Sequence, residues 1–110
     1  MKRRSTCYLR FRSPIAIEQY SKVLFLFKQH CREGAAPLLI LEYPGKSVTA
    51  DAADQSFVLR LNREETAMFQ ENKHCYVDIH PYLQNGDEPA VSILELFVKP
   101  TLYQERDLEG

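Results

Sequence analysis

Two His-Cys dipeptides, His30-Cys31 and His74-Cys75, and a further histidine, His80, are the side chains best suited to holding a metal ion or building a thiol nucleophile. Zinc needs three or four convergent nitrogen or sulfur donors, and the spacing works against convergence. Neighbouring residues on a strand point to opposite faces, so His74 and Cys75 diverge. His74, Asp78 and His80 share a face, but the two imidazoles are then about 20 Å apart. There is no Cys-x-x-Cys and no His-x-x-x-His. A cysteine beside a histidine is the one nucleophile on offer, with no glycine-rich elbow or paired acid to complete it. Glu64 and Glu65 form a carboxylate pair, but they fall where a helix start favours negative charge. Four glycines in the whole chain leave no phosphate-cradling loop. The reading therefore assigns no catalytic, cofactor-binding or metal-binding residue and no cofactor, and the protein is expected not to be an enzyme.

Two binding chemistries are also legible. Arg3, Arg4, Arg10 and Arg12 interleave with Tyr8 and Phe11, and an aromatic-basic strand can stack bases. Residues 1–34 hold eight basic side chains against two acidic ones, whereas residues 35–110 hold six against thirteen. The formal net charge of −1 opposes a general nucleic-acid role, so nucleic acid is not the expected partner. Tyr8, Tyr76, Tyr82 and Tyr103 are candidate platforms for a sugar, though the chain has no Trp, the strongest such platform.

The elements that must position these groups are mostly strands. With 45% apolar and 26% charged residues over 110 positions, the chain is one globular domain. Residues 1–100 are read as that domain and 101–110 as a polar, acidic tail. No apolar stretch approaches the ~20 residues of a membrane helix, and no secretory signal follows the basic start, so synthesis in the cytoplasm and no membrane partner are expected. Cys7, Cys31 and Cys75 are expected to be reduced and to act as small hydrophobes in strands.

TCYLRFR (6–12), KVLFLFKQ (22–29), LLILEY (38–43), a short stretch at 46–50, QSFVLRL (55–61), 74–83 and AVSILELFVK (90–99) read as strands, with Pro44-Gly45, 51–54 and Asn85-Gly86 as turns. NREETAMFQE (Asn62 to Glu71) is the single helical signal. Asn62 stands as N-cap with Glu65 at the capping-box position, and Met68 and Phe69 are the expected tertiary anchors. The fold class is thus all-β, an immunoglobulin-like antiparallel β-sandwich of six to seven strands with one short helix. The core is expected to contain Leu9, Phe11, Val23, Phe25, Phe27, Leu39, Leu41, Phe57, Leu59, Leu61, Phe69, Val77, Ile79, Val91, Ile93 and Phe97.

Two strands carry more apolar side chains than one interior can bury. In 23–27, Leu24 and Leu26 oppose Val23, Phe25 and Phe27; in 91–98, Leu94, Leu96 and Val98 oppose Val91, Ile93 and Phe97. A two-layer sandwich has one interior, so the surplus is expected to meet other protein.

Three segments carry a resemblance to a known family. They are the basic opening MKRRSTCYLRFRSP, the strand-helix unit FVLRLNREETAMF (57–69), and the strand-turn-strand of 74–99. In this order they resemble the small immunoglobulin-like proteins encoded among virion and tail genes of phages and prophages of Gram-positive, often gut, bacteria. The chain departs from that pattern at Arg4, at Cys7-Tyr8 and over 51–54. The resemblance implies a non-enzymatic phage or prophage structural or adaptor protein of the tail or baseplate type, resident in the virion. Its partners would be other phage structural subunits or itself, as a homo-oligomer. A small carbohydrate- or surface-binding module is the alternative, and a thiol or metal enzyme the third.

Overall fold

The computed structural model describes Met1 and residues 4–32 and 34–98; the expected tail at 101–110 lies outside the described residues. Seven strands form among them: β1 (Cys7–Arg12), β2 (Tyr20–Lys28), β3 (Leu39–Tyr43), β4 (Val48–Asp51), β5 (Ser56–Leu61), β6 (Lys73–Leu83) and β7 (Ser92–Val98). All the strand pairs are antiparallel. One sheet has the order β1-β5-β4 and the other β3-β2-β6-β7, so the expected all-β, two-sheet architecture is observed.

The alternation of apolar residues explains the stacking. Val23, Phe25 and Phe27 of β2 and Cys75 and Val77 of β6 meet Phe57, Leu59 and Leu61 of β5, and all are buried. Phe57 is the aromatic hub. Its ring lies 4.9 Å from Tyr43, 5.3 Å from Tyr20 and 5.8 Å from Phe25, each edge-on, a geometry in which ring edges meet ring faces. Ile17, Tyr20, Val48, Cys75 and Val98 also belong to the buried core, beyond the set read from the sequence. Leu9, Phe11, Leu39 and Ile79 are half-buried and pack against it. Gly45 is demanded by the turn into β4, because a Cβ there would lie 2.5 Å from the Glu42 carbonyl oxygen.

Three expectations are corrected. Val91, Ile93 and Phe97 are not core; they are exposed, Ile93 at 56%. Residues paired across two strands share a face, and β7 pairs Leu94 with Val77 and Leu96 with Cys75. The inward face of β6 therefore sets the parity of Leu94, Leu96 and Val98, of which Val98 is buried, Leu96 half-buried and Leu94, on the edge strand, still 38% exposed. The helix is one turn, α1 (Arg63–Thr66), rather than ten residues. The N–H groups of Gln70 and Asn72, which a longer helix would point at its own carbonyls, instead reach Gln29 Oε1 and the Val98 carbonyl. Phe69 turns inward, 6.1 Å from the Phe27 ring, while Met68 is left 47% exposed. Cys31 is exposed beyond the end of β2 rather than in a strand.

The Asn85-Gly86 turn forms, with Gly86 at φ 93° and its N–H on the Leu83 carbonyl. Asp87 closes the turn, its carbonyl accepting from the Leu83 N–H at 2.9 Å, and residues 88–91 lie outside any strand before β7.

Candidate functional site

The residues weighed for chemistry are kept apart. Cys75 is fully buried among core side chains, and burial pushes its thiol up to about 11. Its neighbour His74 faces outward, with Nε2 3.2 Å from Glu95 and its ring edge-on to Phe97 at 5.3 Å. His80 lies further along the same face, its Nε2 buried without a hydrogen-bond partner. No group of three or more His, Cys, Asp or Glu able to hold a metal ion occurs among the described residues. Glu64 and Glu65 serve α1. The Glu65 N–H donates to Asn62 Oδ1 and the Asn62 N–H to Glu65 Oε1, both at 2.8 Å.

The basic strand is engaged by acids. Arg10 donates to Asp51 at 3.1 Å, to Asp54 at 2.9 Å and to Ser56 at 2.7 Å, and Arg12 lies 3.3 Å from Asp54. The Asp54 backbone N–H and then the Arg10 guanidinium hold the Asp51 carboxyl below its ordinary range. At one end of the outer face of the three-stranded sheet, Arg10 and Arg12 are thus paired with Asp51 and Asp54. The tyrosines are dispersed. Tyr8 stands 65% exposed on this face. Tyr76 and Tyr82 lie on the other sheet about 20 Å apart, with the Lys22 ammonium 4.6 Å over the Tyr82 ring. Tyr103 and Arg3 lie outside the described residues. At one end of the sandwich a cleft of about 180 Å³ opens between the sheets, walled by Phe11, Phe25, Ile79 and Pro81. Two of the hydroxyls lining it, Ser13 and Tyr20, bond to each other at 2.6 Å.

The outer face of the four-stranded sheet is different. Registers across its strands place Ile40, Leu26, Asp78 and Ile93 in one row, and Glu42, Leu24 and His80 in the next. Ile40 and Ile93 at the two edges are more than half exposed, and Leu38 and Phe97 extend the apolar surface. Leu24 and Leu26 lie half-buried between them. Lys28 reaches diagonally across this face to Asp78 at 2.7 Å, and both side chains are largely buried at 14% and 13% exposure. The face carries exposed apolar side chains on both edge strands, with Glu42 and Glu95 among them, and a self-neutralised ion pair at its centre. Sequence patterning reveals the surplus in β2 and β7. It misses Ile40, because the apolar run of 38–41 hides which parity faces outward, and it misses the Lys28–Asp78 pair, which needs the β2–β6 register. No helix of the described residues is long and apolar enough to cross a membrane. The chain matches no family model, no curated protein and no solved structure.

Proposed function

We propose that this chain is a non-enzymatic structural or adaptor module of a phage or prophage particle, of the tail or baseplate type, which acts by packing the outer face of its four-stranded sheet against other protein. The observation that carries the reading is that face. Ile40, Leu24, Leu26, Ile93 and Phe97 form an apolar surface around a self-neutralised ion pair, and monomers seldom leave such surfaces uncovered. The strand order favours an immunoglobulin-like identity. In that fold one sheet carries strands A, B, E and D and the other C, F and G, with C′ added in some members. The order β1-β5-β4 corresponds to B, E and D, and β3-β2-β6-β7 to C′, C, F and G, with no strand in the place of A among the described residues and α1 at the E-to-F crossover between sheets. The resemblance of the opening, the 57–69 unit and the 74–99 unit to phage virion proteins supplies the particle context. Carbohydrate binding is less well supported, since Tyr8, Tyr76 and Tyr82 share no platform.

The test is mass spectrometry of density-purified particles from the producing strain, with the gene intact and deleted. The expected result is the chain at a fixed copy number in intact particles, and particles with incomplete tails after deletion. Normal, infectious particles without the chain overturn the reading.

A further inference from the structure

We infer that the apolar face of the four-stranded sheet packs against the same face of a second copy of this chain, about a two-fold axis running parallel to the strands between β2 and β6. The inference rests on the assembly reading and names the first occupant of its surface. A two-fold with this direction exchanges β3 with β7 and β2 with β6. Along the row Ile40–Leu26–Asp78–Ile93, it sets Ile40 of one copy over Ile93 of the other, twice per dimer. The two most exposed isoleucines, 55% and 56%, are thereby covered by each other. A two-fold perpendicular to the strands would instead set Asp78 over Asp78 of the second copy.

Charge favours a second copy. Lys28 is neutralised by Asp78 at 2.7 Å, Lys22 sits over the Tyr82 ring, and His74 faces Glu95. Lys28 and Asp78, at the centre of the face, reach the pairing already partnered within each copy, and the exposed Glu42 lies on the β3 edge, at the rim of the contact. The area suffices. Four strands spaced ~4.8 Å apart, with outward rows from His74 to Tyr82, present roughly 500 Å² in plan. Two copies together remove about 1,000 Å², near the lower bound of a specific interface. Sheets packed face to face lie close to aligned, within about 30°, an arrangement compatible with a two-fold along the strands. The opposite face, with Arg10, Arg12, Asp51 and Asp54, stays outward and free for a different subunit.

Sedimentation equilibrium of the full chain over roughly 1–100 µM, the range suited to so small an interface, tests the pairing. The expected mass rises with concentration to twice the 12.8 kDa protomer. Ile40→Lys and Ile93→Lys each hold the chain at protomer mass with an unchanged melting temperature, and Tyr8→Lys on the opposite face leaves the doubling intact. Should a lysine disturb the fold, Ile93→Ser is the milder variant, with at least a tenfold loss of association expected. A wild-type chain that stays at protomer mass throughout, or doubling that survives both isoleucine variants, overturns the inference. A protomer found in purified particles overturns the self-pairing alone, and a dimer missing from normal particles overturns the particle reading alone.

Discussion

Lys28 and Asp78 show how one pair of charges can be tolerated on an apolar face. At 2.7 Å, with little of either side chain exposed, each ion depends on the other for the solvation it has lost. Removing one partner leaves a charge without water or counter-ion, whereas replacing both with apolar groups of similar size removes the problem. Lys28→Met is therefore expected to lower the unfolding free energy by about 3 kcal/mol, and Lys28→Met with Asp78→Leu to return it to within about 1 kcal/mol of the parent. Urea unfolding followed by far-ultraviolet circular dichroism measures both, and equal losses in the single and double variants would refute the account. Neither residue announces this role in the sequence. Lys28 reads as the polar end of a strand and Asp78 as one outward side chain among several, because their meeting depends on a diagonal across two strands about fifty residues apart.

At the scale of elements, α1 is held by two local devices. The reciprocal bonds of Asn62 and Glu65 satisfy its first N–H groups and are readable from spacing alone. The second device is Thr66, fully buried. Its hydroxyl accepts from the Ser5 N–H at 3.1 Å and lies 2.9 Å from the Ser5 carbonyl, tying the lead-in of β1 to the crossover. Asn62→Ala is expected to cost about 1 kcal/mol. Thr66→Val keeps the shape but leaves two Ser5 backbone groups unpaired, and is expected to cost about 2 kcal/mol. Thermal and urea unfolding compare the two, and an isosteric valine without effect would show that Ser5 finds water instead. The strands show where legibility ends. β6 alternates cleanly, so Cys75, Val77 and Ile79 declare their face. β7 is apolar on both parities, and its facing is settled by pairing with β6 rather than by its own residues. The expected helix is longer than α1 because Met68 and Phe69 suit a second turn, while the bonds that replace it come from Gln29 and Val98, distant in sequence.

For the whole molecule, two ionisable groups in unlike environments link stability to pH in opposite directions. Asp51, on the charged outer face, has its carboxyl held below the ordinary 3.8, first by the Asp54 N–H and then by Arg10. Its contribution is present above that value and is lost as pH falls through the lowered one. Cys75, in the core, has its thiol pushed by burial from 9.0 to about 11. The folded chain therefore holds this proton more tightly than the unfolded chain, which begins to ionise near pH 9. Stability from this source is fully present below pH 9 and declines towards pH 11. Cys7 on β1 adds a smaller part of that rise, and burial raises its own thiol as well. Cys75→Ala removes buried volume and is less stable than the parent at pH 7, but it lacks the titrating group. Its deficit relative to the parent is expected to shrink between pH 9 and 11, as measured by urea unfolding at each pH. A deficit that stays constant across that interval would mean that Cys75 keeps its ordinary affinity for the proton, and that the alkaline limit is set by the tyrosines and lysines common to both chains.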